Sequence, residues 1–109
     1  MSKYHSIRTL YNGEWYDSKR EANYAKQLDL LRRAVLEDER VISVERQPAF
    51  LLVEGAKGVR PVTYRADFKI TYANNRVEIV DVKGFQTAVF KLKLKLMKSK
   101  YPDIAIKLV

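Results

Sequence analysis

Val77-Glu78-Ile79-Val80-Asp81-Val82-Lys83-Gly84 is the stretch from which the fold is read. Val, Ile and Val in close succession argue a β-strand, and Gly84 ends it. Side chains alternate faces along a strand, so Asp81 and Lys83 point the same way, roughly 6–7 Å apart. A carboxylate, a spacer and an ammonium thus sit near the end of an interior strand. Both charges are costly to desolvate. A solvated strand end or a simple ion pair would satisfy them, and so would a site.

Upstream, Tyr64-Arg65-Ala66-Asp67-Phe68-Lys69-Ile70-Thr71-Tyr72 reads as a second strand, joined to the first through Ala73-Asn74-Asn75-Arg76. Loop length decides the register. A two-residue loop at Asn74-Asn75 would set Asp67 against Val82, with the carboxylates of Asp67 and Asp81 on opposite faces. A three-residue loop, or a bulge with one Asn in the left-handed region, sets Asp67 across from Asp81. The second arrangement is expected.

Two acids on adjacent strands beside a lysine suit a divalent cation with a basic group next to it. The spacing Asp67…Asp81-x-Lys83, preceded by a helix carrying Glu21, resembles the PD-(D/E)XK nuclease superfamily. Further matches are Asp17-Ser18-Lys19 with Glu21-Ala22, Arg46-Gln47-Pro48, Ala66-Asp67-Phe68, Asp81-Val82-Lys83-Gly84-Phe85 and Tyr101-Pro102-Asp103-Ile104. Together they look like a phage-encoded family of uncharacterised proteins placed in that superfamily, over nearly the whole chain from Asn12 to Val109. Ala66 stands where the superfamily's name has proline, and Asp81 where Glu is commoner.

The 109 residues suit one small domain, with residues 1–16 as an N-terminal arm or hairpin. A hydrophobic content of 47% with 31% charged residues describes a globular chain rather than a disordered one. Without cysteine there is no disulfide framework and no thiolate zinc site. Neither a membrane-length apolar run nor a secretory signal is read, so a cytoplasmic location is expected, that of the host cell if the chain is phage-encoded. Twenty-one Lys and Arg against thirteen acids leave +8, an excess that favours a polyanion such as nucleic acid over a membrane.

In chain order, Tyr11-Asn12-Gly13-Glu14 signals a tight turn between Ile7–Leu10 and Trp15-Tyr16. His5 precedes any ordered pattern and reads as a tail residue. Ser18-Lys19-Arg20-Glu21 fits a capping box, with Glu21 folding back to the cap amide. Glu21, Tyr24, Leu28, Leu31 and Val35 also follow helical spacing, so Glu21 heads the apolar stripe, and an acid there wants a partner. The helix is expected to fade near Glu37-Asp38-Glu39-Arg40, where acids oppose its dipole.

Val41–Gln47 reads as a strand that Pro48 confines to an edge or a break, followed by extended Phe50–Val53. Gln47 is either a neighbour of the site or a bland strand-end residue. Lys57 and Arg60 lie in the loop Glu54–Pro61, where they either track a DNA backbone or are simply solvated. Phe90-Lys91-Leu92-Lys93-Leu94-Lys95-Leu96 alternates like a strand. Leu and Lys are nevertheless good helix formers and Thr87 is a plausible N-cap, so Ala88–Lys100 is read as a helix. Its expected apolar face is Val89, Leu92, Leu96 with Phe90, Leu94, Met97 and Tyr101. Lys91, Lys95 and Lys98 lie opposite, while Lys93 falls inside the apolar arc and must snorkel, meet an acid or reach a phosphate.

Pro102 closes this helix. Ile104–Val109 is a last strand, and the helix between makes it parallel to Val77–Val82. The fold class expected is α/β, α-β-β-β-α-β, a mixed sheet flanked by helices; the resemblance makes this a restriction-endonuclease-like core.

The resemblance implies a metal-dependent DNA endonuclease with Glu21, Asp67, Asp81 and Lys83 as catalytic residues. Asp67, Asp81 and the Val82 carbonyl would hold Mg²⁺, for which Mn²⁺ is a possible substitute, and Glu21 would anchor a second ion or a water. Lys83 would orient the attacking water or stabilise transition-state charge. Arg65, Lys91, Lys93 and Lys95 would contact DNA phosphates. The small basic domain is similar to Holliday-junction resolvases, which implies branched DNA as substrate and a homodimer; a nicking or nonspecific endonuclease is the near alternative. A DNA-binding module that kept the fold and lost catalysis is the rival, against which the intact acidic set argues. A basic structural protein explains the charge but not Asp81-x-Lys83.

Overall fold

The computed structural model describes residues 7–82 and 86–109. Two compact units are distinguished: residues up to Ser43 together with Thr71–Arg76, and Val44–Ile70 together with Val77 to the C-terminus. His5 and Lys83 lie outside the described residues.

In the first unit, β1 (Thr9–Tyr11) and β2 (Glu14–Tyr16) form the expected antiparallel hairpin, with Leu10 opposite Trp15. The two turn residues Asn12 and Gly13 both have positive φ, 51° and 82°. This twist matches that of the flanking strands, and Asn-Gly adopts it at least cost. Helix α1 (Lys19–Leu31) follows, with Ser18 as N-cap accepting from the Glu21 amide at 3.1 Å. Glu21, Ala22, Ala25 and Leu28 are its buried residues. Tyr11 ties the hairpin to this helix through a 2.7 Å bond from its hydroxyl to Asp29.

The apolar stripe of α1 is shorter than the spacing suggests. The helix ends at Leu31 rather than near Glu37, and Val35 is 89% exposed. With no buried surface to offset the entropy of further turns, the chain tightens into i→i−3 bonds from Arg32, Arg33 and Ala34. The Arg40 guanidinium then donates to the carbonyls of Ala34 and Val35.

A four-stranded mixed sheet has the order β3 (Val41–Arg46), β6 (Phe68–Tyr72), β7 (Val77–Asp81), β8 (Ile106–Leu108). The expected edge position of the strand before Pro48 is found. So is the parallel pairing of β7 with β8, with Asp81 opposite Leu108. β6 and β7 are joined by the three-residue form of the loop: the Tyr72 amide donates to the Arg76 carbonyl at 2.9 Å, and Asn75 takes φ 70°. β4 (Ala49–Val53) and β5 (Val62–Arg65) form a separate antiparallel pair.

Here the structure corrects the reading of Tyr64–Tyr72 as one strand. Ala66-Asp67 breaks it into β5 and β6. The facing chain breaks at the same level, where Gln47 takes φ 54° and Pro48 offers no amide to a ladder. Bonds from Gln47 N to Asp67 O (3.0 Å) and from Ala66 N to Pro48 O (3.1 Å) hold the two breaks together.

Helix α2 (Ala88–Lys100) starts at the expected cap, the Thr87 hydroxyl accepting from the Phe90 amide at 3.1 Å. Only part of its expected apolar face is covered. Phe90 and Met97 are buried and Leu94 and Tyr101 pack on the same core, whereas Val89 and Leu92 are exposed. The helix lies on β4 and β5, a two-stranded support that covers a narrow arc. Leu52, Tyr64, Ala66, Ile79, Phe90 and Met97 form that core, in which Tyr64 stands 6.2 Å from Phe90 and 6.4 Å from Phe50, ring centre to ring centre. Burying Phe90 or Met97 contributes about 1.5–3 kcal/mol each.

Candidate active site

The break between β5 and β6 makes Asp67 a junction. Its carbonyl accepts from Gln47 on one side. In a regular ladder its amide would return that bond; instead it donates to the Val80 carbonyl of β7 at 3.1 Å. Its carboxylate, half-buried, accepts from the Val82 amide at 2.7 Å through Oδ2. A charged acceptor on a backbone amide is among the stronger hydrogen bonds. Asp67 is therefore fixed at the point where β7 runs out.

Asp81 is the last residue of β7 and is 1% exposed. Its Oδ2 accepts a 2.5 Å bond from the hydroxyl of Tyr64, itself 2% exposed. This buried phenol is held well above its ordinary range, first by burial, then by its bond to Asp81, then by the negative charges of Asp81 and Asp67. Both carboxylates thus lie within electrostatic reach of one hydroxyl. That hydroxyl stays a proton donor to Asp81 at any physiological pH.

Tyr64 is the residue that sequence reasoning missed. A phenol in an apolar run signals it, because a buried Tyr hydroxyl needs a partner and an acid three residues away marks where partners gather. Glu21 lies in the first unit and is 7% exposed. The capping box forms there with one change: the Glu21 carboxylate reaches the Ser18 hydroxyl at 3.5 Å rather than the cap amide. Among the described residues no three His, Cys, Asp or Glu side chains gather into a metal-holding group.

Of the cations expected at DNA, Lys91 and Lys95 are exposed on α2. Arg65 and the half-buried Lys93 line one pocket of about 440 Å³ with Thr63, Tyr64, Thr87, Val89 and Phe90. Gln47 and Pro48 shape the corner that holds Asp67, which gives Gln47 a backbone role beside the site.

In comparison with known families, all 109 residues match the model described as Protein of unknown function (DUF1064). The chain belongs to that family. No curated protein and no solved structure matches it. No described helix is long and apolar enough to cross a membrane.

Proposed function

We propose that this chain is a metal-dependent DNA endonuclease of PD-(D/E)XK type with a restriction-endonuclease-like core, acting on branched DNA as a Holliday-junction resolvase. One observation carries the reading: Asp81 and Asp67 are each held by a dedicated donor, Tyr64 and the Val82 amide, at the end of a single strand. Two fixed carboxylates in a basic protein are costly to keep together unless a cation joins them.

The residues fit Mg²⁺. That ion usually keeps several waters and needs only one or two carboxylates, so a third acidic ligand is not required. Asp67, Asp81 and the Val82 carbonyl would hold it, with Mn²⁺ as a substitute. When bound, the ion supplies a Lewis acid for the phosphodiester and lowers the pKa of an attacking water.

The chain's own residues do the rest. Tyr64 orients Asp81, the break at Ala66-Asp67 aims the second carboxylate, and Lys91, Lys93, Lys95 and Arg65 contact phosphates without reading sequence. The roles that the resemblance implies for Glu21 and Lys83 are tested by Glu21→Gln and Lys83→Ala. A homodimer would present two sites to a four-way junction.

The deciding experiment incubates wild type and Asp81→Asn with labelled four-way junction and linear duplex, in Mg²⁺ or EDTA. Cleavage that needs both the metal and Asp81 supports the enzyme. Binding without cleavage would leave a DNA-binding module, and a monomer cutting linear duplex as fast as junctions would leave a nonspecific or nicking endonuclease.

A further inference from the structure

The pocket bounded by Thr63, Tyr64, Arg65, Thr87, Phe90 and Lys93 shares one residue with the carboxylate pair: Tyr64 both lines it and donates to Asp81. Its volume of about 440 Å³ falls in the range of small-ligand sites. Its lining contains two cations and no acid, and among the described residues neither Arg65 nor Lys93 is in an ion pair. Like charges brought to one cavity repel each other, and the arrangement is stabilised by an anion. Lys93 is half-buried, so part of its hydration has already been given up.

The remaining lining defines the anion. Thr63 and Thr87 add hydroxyl groups, and Thr87 Oγ, already accepting from Phe90 N, keeps its own proton to donate. Val89 and Phe90 add an apolar edge. Cations, hydroxyls and an apolar wall in one cavity match a nucleotide: phosphate on the charged side, sugar and base on the other.

We propose that this pocket is a nucleotide subsite, seating one 5′-phosphorylated nucleotide unit next to the carboxylates. The proposal rests on the nuclease reading for its place in a reaction, but the binding itself requires neither metal nor cleavage.

The test is an amide-resolved NMR titration of the full chain with thymidine 5′-monophosphate in EDTA. Shifts are expected at Thr63–Arg65 and Thr87–Lys93, with affinity falling at least tenfold in the double variant Arg65→Gln, Lys93→Gln. Both side chains reach solvent, so the variant's dispersed spectrum reports that it is folded. Shifts that map elsewhere, or equal affinity in the folded variant, overturn the subsite. A chain that holds the nucleotide here yet never cuts DNA loses the nuclease reading alone. One that cuts junctions and ignores the double substitution in both affinity and KM loses the subsite alone.

Discussion

The hydroxyl of Tyr64 donates to Oδ2 of Asp81 across 2.5 Å, from β5 to the end of β7, with both residues almost fully buried. This bond joins the two-stranded support of α2 to the central sheet at the end of β7.

Removing the hydroxyl takes the Tyr64 bond away from a buried carboxylate. Tyr64→Phe should therefore cost about 1–3 kcal/mol, well above what the loss of one oxygen does at a surface. Urea unfolding followed by circular dichroism measures it. A loss below about 0.5 kcal/mol would show that Asp81 finds a replacement donor without difficulty.

The same bond sets a pH dependence. The phenol's folded pKa is raised above its unfolded value of 10.0, so the native state retains the proton longer than the unfolded chain does. Its contribution is complete below pH 10 and is lost as pH rises above that value toward the folded pKa. Wild type should lose stability more steeply than Tyr64→Phe above pH 10, and the two should run parallel between pH 7 and 9. Equal slopes above pH 10 would contradict the assignment.

Asp67 separates architecture from chemistry. Asp67→Asn keeps an oxygen for the Val82 amide, whereas Asp67→Ala leaves that amide unpaired at a cost of about 1–3 kcal/mol. The Asn variant should unfold close to wild type, the Ala variant at lower urea. Under the nuclease reading both abolish Mg²⁺-dependent cleavage, so an active Asn variant would remove Asp67 from the metal site.

The loop between β6 and β7 depends on Asn75 at φ 70°. Asn75→Ala keeps a β-carbon in the left-handed region but loses the short polar side chain that eases it there, and should cost about 1 kcal/mol; Asn75→Gly should be neutral or slightly stabilising. Thermal melts of the pair test this, and an Ala variant as stable as Gly would mean that the loop can close another way.

Cap strength can be read at α2. Thr87→Ala removes the acceptor of the Phe90 amide and should cost about 1 kcal/mol, with Thr87→Ser close to wild type. Chemical denaturation separates the three proteins. If Ala and Ser behave alike, the first turn is held by the packing of Phe90 rather than by its cap.

Local chemistry alone determined much of this protein. Asn12-Gly13 dictated a hairpin, Ser18 and Thr87 marked two helix starts, and Leu and Lys at Phe90–Leu96 kept helical against an alternating pattern. The apolar run at β7, its hairpin with β6 and the parallel return of β8 were equally legible, because each follows from neighbours in sequence or from crossover handedness. The length of α1 and the true apolar arc of α2 were not, since Val35, Val89 and Leu92 have the right period but nothing to pack against. Nor was the break at Ala66-Asp67, which is set by a left-handed glutamine and a proline between β3 and β4. That break turns Asp67 toward β7 and lets Tyr64 meet Asp81. Hydrogen bonds between residues fifteen and seventeen positions apart exist only once the strands have paired, so only the tertiary structure could decide them.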